Sequence, residues 1–258
     1  MRALSIARDL QRRQARERQG LFVAEGVRAV DDLLRSPLVI RAALTIANPE
    51  LPRTRELLIA LHDRGVPVQE VTPSEFTSAA DTDSPQGILA IGEIPNRDLS
   101  AVTLSEGTPA RVLVLDAVQD PGNVGTIVRT GAALGAAVTV SLPGTVDLWN
   151  AKVVRSSMGA LFHAPALACT WAEFDAFRSR NEVELWGAEA GGDPLSVVTR
   201  DRSTIPRRLA IAVGNEGSGL SAQTRQAASK LVAVEIGPDV ESLNVAVATG
   251  IMLYELRR

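Results

Sequence analysis

From residue 111 onward, short apolar runs alternate with helical segments. This alternation restricts that part of the chain to a mostly parallel sheet covered by helices on both faces. Strands are expected at 111–116, 137–141, 184–188, 209–213 and 231–236, and helices at 124–134, 148–158, 171–180, 222–228 and 245–256. A polar, turn-rich stretch at 96–110 separates this domain, 111–258, from a smaller α/β domain over residues 1–95. There the pattern predicts a basic helix at 5–18, a strand end at 22–26, a helix at 27–35 and a strand at 39–46. A helix at 53–64 and strands at 68–71 and 88–91 complete it.

Composition excludes several classes of function. The longest apolar runs are too short to span a bilayer, and no apolar leader follows the N-terminal arginines. Cys169 is the sole cysteine, so an internal disulfide is ruled out and a reducing cytoplasm is expected. With only His62 and His163 and no cysteine cluster, no metal is expected. Net charge is −3, yet residues 1–20 carry Arg2, Arg8, Arg12, Arg13, Arg16 and Arg18 against Asp9 and Glu17. Guanidinium forks suit phosphate recognition, so Arg12, Arg13, Arg16 and Arg18 are candidate RNA contacts. A solvated helix face in an arginine-rich chain explains the same cluster without RNA.

Three loops stand at the carboxyl ends of expected strands, where open α/β sheets collect ligands. The first, Asp120-Pro-Gly-Asn-Val-Gly125, makes a tight turn with Asn123 at the position of a helix N-cap. Arg129 follows about one and two-thirds helical turns later. The second, Val213-Gly-Asn-Glu-Gly-Ser-Gly-Leu220, sets Glu216 among three glycines that let backbone approach a ligand. The third, Glu241-Ser-Leu-Asn-Val245, places Ser242 and Asn244 beside an apolar helix start, and capping by Ser242 accounts for one of the two.

A nicotinamide site is disfavoured. The strict G-x-G-x-x-G is missing, and the second strand ends Val140-Ser-Leu-Pro143 without an acidic residue for a ribose hydroxyl. The phosphate loop G-x-x-x-x-G-K is absent, Cys169 has no evident base partner, and no G-x-S-x-G occurs.

In order and spacing, the three loops resemble the signature motifs of the SpoU family of RNA 2'-O-ribose methyltransferases, within the knotted SPOUT class. The stretch Lys152-Val-Val-Arg-Ser-Ser-Met-Gly159 is also similar, and the likeness spans residues 111–258. One departure precedes the third motif: Val234-Glu-Ile236 stands where the family commonly has Ile-Pro-Met. Two stretches of the smaller domain, Arg16-Glu-Arg-Gln-Gly-Leu-Phe-Val-Ala-Glu-Gly26 and Ser84-Pro-Gln-Gly87, resemble an accessory domain of the family akin to ribosomal RNA-binding proteins.

The resemblance implies a trefoil knot, which physical rules alone would never suggest. It implies S-adenosyl-L-methionine as cofactor, structured RNA as substrate (rRNA ahead of tRNA) and a homodimer. It also implies catalytic roles for Asn123, Arg129, Glu216, Ser242 and Asn244, and a cofactor cradle at Gly214, Val234, Ile236 and Leu243. The family gives the deprotonating role to the residue that is here Arg129. A guanidinium is a poor base, so two readings stay open: stabilising the forming alkoxide, or deprotonation by its surroundings. A non-catalytic RNA-binding or ribosome-assembly protein is the competing class, but it would not need all three loops.

Overall fold

The structure, a computed structural model, describes residues 3–49, 51–105 and 107–257. Arg2 of the basic cluster and Glu106 of the expected linker lie outside the described residues. The chain forms two compact units, Met1–Asn96 with Trp149–His163, and Arg97–Leu148 with Ala164–Arg258.

The first unit opens with α1 (Ala3–Asp9) and α2 (Arg13–Gln19), where the sequence pattern suggested one helix. The break has a physical cause. Arg12 is extended (φ −93°, ψ 133°), and the Arg16 guanidinium donates to the carbonyls of Leu10 (2.7 Å) and Gln11 (3.0 Å) that the interrupted helix leaves open. There follow β1 (Leu21–Glu25), α3 (Val27–Arg35), β2 (Ile40–Ile46), α4 (Pro52–Asp63), β3 (Val68–Val71), α5 (Pro73–Thr77) and β4 (Ile88–Glu93). The short α5 was not foreseen; a capping box between Thr72 and Glu75 starts it. Strand order is β1-β4-β2-β3, antiparallel except for the parallel β2–β3 pair. Alternation sorts the side chains: Val23, Leu89 and Ile91 join Leu4, Leu10 and Phe76 in one core. Phe22 on the opposite face is fully buried, and a Cβ at Gly92 would meet its ring at 2.6 Å.

The second unit begins with β5 (Ala110–Asp116), α6 (Pro121–Ala133) and β6 (Val138–Ser141). Next come α7 (Ala151–Ser156) and α8 (Ala160–His163), whose residues belong to the first unit. There Trp149 and Phe162 stack on Phe22, with ring centroids 4.5 and 5.6 Å away. The helix expected at 148–158 begins only after its Asn150 cap, and it ends before Met158 and Gly159, which adopt positive φ, 50° and 82°.

The chain continues with β7 (Ala166–Ala168), α9 (Trp171–Arg180), β8 (Glu184–Pro194), α10 (Leu195–Val198), β9 (Arg208–Gly214), α11 (Ala222–Ala227), β10 (Lys230–Ala233) and α12 (Val245–Leu256). The six strands run parallel in the order β10-β8-β9-β5-β6-β7. Val112, Val114, Val140, Ala210 and Ala212 pack against Phe174 and Phe177 on one face. On the other face a Cβ at Gly131 would lie 2.7 Å from Leu113, which holds α6 close to β5. Arg111 is buried; its Nε donates to the Leu256 carbonyl at 2.6 Å and closes the end of α12. Two strand expectations change. β8 runs on to Pro194, with Gly192 against the backbone of Leu231 and Val232. β10 stops at Ala233, so 234–236 is loop.

Candidate active site

Each of the three loops is shaped by its own short-range bonds. In the first, Asp120, not Asn123, is the N-cap: its Oδ1 accepts from the Asn123 N–H at 2.8 Å, and Pro121 occupies the first turn. The Asn123 side chain is thereby released. In the second, Asn215 Oδ1 accepts from the N–H groups of Gly217 (2.9 Å) and Ser218 (3.0 Å), and its Nδ2 donates to the Ala117 carbonyl at 3.1 Å. A Cβ at Gly214 would run into the backbone of Gly219 and Leu220, so only glycine fits. In the third, Asn244, not Ser242, caps α12, accepting from Ala246 N–H at 2.9 Å and Val247 N–H at 3.3 Å.

The released amide of Asn123 then links all three. Its Nδ2 donates to Glu216 Oε1 at 2.9 Å, and its Oδ1 accepts from Asn244 Nδ2 at 2.9 Å. One donor and one acceptor of a single amide thus fix the carboxylate of one loop and the cap of another.

Beside this chain of bonds lies a cavity of about 600 Å³ at the carboxyl ends of β8, β9 and β10. Gly214, Val234, Ile236 and Leu243 all line it, as do Glu216, Ser242 and Asn244. Ser242 is exposed there and makes none of the described hydrogen bonds. Glu235 faces elsewhere: the hydroxyl and N–H of Ser196 donate to its carboxylate, which they hold below the ordinary glutamate value. That anchor turns Val234 and Ile236 toward the cavity.

Arg129 is not brought to this cavity. It is exposed on α6 and makes no hydrogen bond or ion pair with another described residue. Of the basic cluster, Arg12 and Arg18 pair with Asp9, and Arg13 with Glu17, all three remaining largely exposed. Arg16 differs: it is buried on the carbonyls of Leu10 and Gln11, so its guanidinium serves the fold instead of facing solvent.

Two lining residues carried no sequence signal. Arg225 and Glu189 form a two-pronged ion pair, 2.8 and 2.7 Å, at the cavity wall. Only the placement of α11 beside β8 reveals it. Cys169 lies away from the site; burial, then the charge of Glu173, pushes its thiol up to about 12, which leaves no thiolate near neutrality. Among the described residues, no group of three His, Cys, Asp or Glu is placed to hold a metal ion. No described helix is long and apolar enough to cross a membrane.

Residues 5–90 match the MRM3-like substrate binding domain. The 23S rRNA (guanosine(2553)-2'-O)-methyltransferase RlmP of Bacillus subtilis is 31% identical over 96% of this chain and 93% of its own length. Two solved structures with bound AdoMet superpose over nearly the whole chain. The SpoU methyltransferase AviRb of Streptomyces viridochromogenes gives a TM-score of 0.83 at 27% identity, covering 99% of this chain and 97% of that one. An rRNA methyltransferase of Sinorhizobium meliloti gives 0.82 at 28%, covering 98% and 93%. Residues 110–254 match the SpoU rRNA Methylase family, and the chain belongs to that family.

Proposed function

We propose that this protein transfers a methyl group from S-adenosyl-L-methionine to a ribose 2'-hydroxyl of ribosomal RNA. The observation that carries the reading is the amide of Asn123, which ties the second and third loops together beside one cavity. The cavity suits the cofactor: Val234, Ile236 and Leu243 offer apolar wall for an adenine, and Gly214 permits close backbone approach. Bound there, the cofactor supplies an electrophilic methyl on a sulfonium. Asn123, Glu216 and Asn244 then form a pre-set polar edge that orients the ribose and its neighbours, and the unengaged hydroxyl of Ser242 is free to join it.

The working unit in this reading is a homodimer. Arg129 is exposed and unengaged, and Val247, Ile251 and Tyr254 make an exposed stripe along α12, with the Arg257 guanidinium 3.6 Å over the Tyr254 ring. A two-fold contact there would bring Arg129 into the partner's site and build each site from both chains. Arg129 then stabilises the negative charge developing on the ribose oxygen.

Residues 1–95, with 149–163 folded among them, hold the RNA, with Arg12, Arg13 and Arg18 on phosphates, and the rest of 111–258 carries the chemistry across a linker at 96–110. The carboxyl-terminal segment is threaded as a trefoil knot, in keeping with family membership, and the protein works in the cytoplasm without a metal. The test is a deletion strain. One ribose methylation should vanish from its ribosomal RNA and return with the wild-type gene but not with Arg129→Ala. An unchanged ribose-methylation map would refute the reading.

A further inference from the structure

The first unit contains a second cavity, of about 250 Å³, that the methyl-transfer chemistry does not use. Three segments build it: the β1–α3 turn, the Ser84–Gln86 stretch and the end of α7. These include the Glu25-Gly26 and Ser84-Pro-Gln86 markers and the Arg155–Gly159 stretch noted in the sequence.

Two arginines and two buried or half-buried carboxylates share this cavity. Arg155 pairs with Asp81 at 3.1 Å, while Arg28 is held loosely, 4.0 Å from Asp32. The buried Oδ2 of Asp32 has no hydrogen-bond partner among the described residues, and burial raises its carboxyl above the ordinary value. The Glu25 carboxylate is buried and accepts from the Asp81 N–H at 2.6 Å and from the Thr82 hydroxyl. A phosphate entering here would be opposed by the carboxylates of Glu25 and Asp32, which line the same wall as the two arginines. What the cavity does offer is the guanidinium groups of Arg28 and Arg155, each beside a carboxylate, next to apolar wall from Ala29, Val154 and Met158. Gln86 adds an exposed amide whose Oε1 accepts from the Val27 N–H at 2.8 Å, while its NH₂ makes none of the described hydrogen bonds.

The backbone here is strained. Met158 takes φ 50°, a conformation side chains rarely adopt, and Gly159 follows at φ 82° with Asp32 only 2.6 Å from where a Cβ would stand. Glycine would suit position 158 better, yet the chain places a long, polarisable thioether in the cavity wall.

Resting on the RNA-methylating function above, we infer that this cavity receives the base of an unpaired RNA nucleotide, stacked on Arg28 or Arg155 against Met158. Single-stranded RNA is read in this way, by splayed bases on guanidinium planes with hydrogen bonds to their edges.

The test uses the full-length chain and two variants. Ala29→Leu fills the cavity while keeping helix propensity, and Met158→Gly removes the wall while relieving the backbone. Binding of a fluorescein-labelled single-stranded RNA oligonucleotide of mixed sequence is followed by anisotropy across a salt series. Each variant should bind roughly tenfold more weakly, with the salt slope unchanged. Its thermal midpoint and S-adenosylhomocysteine affinity should stay at the wild-type values, or the midpoint should rise in the glycine variant. A slope lowered by about 0.7 would mark a lost phosphate contact and overturn the base-stacking assignment. So would wild-type affinity in both variants while the wild-type enzyme methylates ribosomal RNA. A wild-type chain that methylates no RNA overturns the proposed function instead.

Discussion

Asn244 donates from Nδ2 to Oδ1 of Asn123 at 2.9 Å across 121 positions of sequence, while its own Oδ1 caps α12. The two jobs are separable. Asn244→Asp keeps the cap but loses the donor, and Asn244→Ala loses both. Both variants should lose most methyl transfer, and only the alanine variant should lose about 1 kcal/mol of stability in denaturant unfolding. An aspartate variant with wild-type turnover would show that the link to Asn123 is not used.

Glu235 is expected to act on cofactor affinity from outside the cavity, through its anchor on Ser196. Glu235→Ala should weaken S-adenosylhomocysteine binding several-fold by calorimetry, with Ser196→Ala in the same direction. Those bonds hold the Glu235 carboxyl below the ordinary glutamate value. A depressed carboxylate contributes stability that is present above the unfolded value and lost as pH falls through the folded one. The anchor is therefore intact at neutral pH and should give way only in acid below the ordinary glutamate range. Binding that declines between neutrality and that range would have another cause.

Phe22, Trp149 and Phe162 form one aromatic cluster within the first unit, although two of them come from the sequence between β6 and β7. Phe22→Ala should cost on the order of 3–5 kcal/mol, as large-to-small changes in buried clusters do. Removing residues 1–95 would strip Trp149 and Phe162 of their packing, so that truncated chain should aggregate or unfold. A truncated chain that stays monodisperse and binds cofactor at wild-type strength would contradict this.

Legibility in the sequence followed range. α3, α9 and α12 are local events with caps or clear periodicity, and their bounds match the expected ones. The break at Arg12 was hidden because it depends on where the Arg16 guanidinium ends up, six residues from Leu10. Asn123 stood out as a polar residue in a turn, but as a cap. Only the preceding aspartate, which takes that role, shows why its amide is free to bridge the loops. The Arg225–Glu189 pair was invisible, since nothing in either segment points to the other.

The exposed, unengaged Arg129 sets up a complementation test. Arg129→Ala and Asn244→Ala chains, each inactive alone, are mixed under conditions of subunit exchange. About half of the dimers would be mixed, each with one intact site, so activity should return to roughly a quarter of wild type. If exchange is verified and the mixture stays silent, Arg129 serves its own subunit.

The methyl is expected on a ribose oxygen, not on a base. Incubating the protein with ribosomal RNA and S-adenosylmethionine bearing a deuterated methyl, then digesting to nucleosides for mass spectrometry, tests it most directly. The expected product is a nucleoside whose label stays with the sugar fragment when the glycosidic bond breaks, with no such product from the Arg129→Ala protein. Label retained on the base fragment, or labelling that survives loss of Arg129, would contradict it.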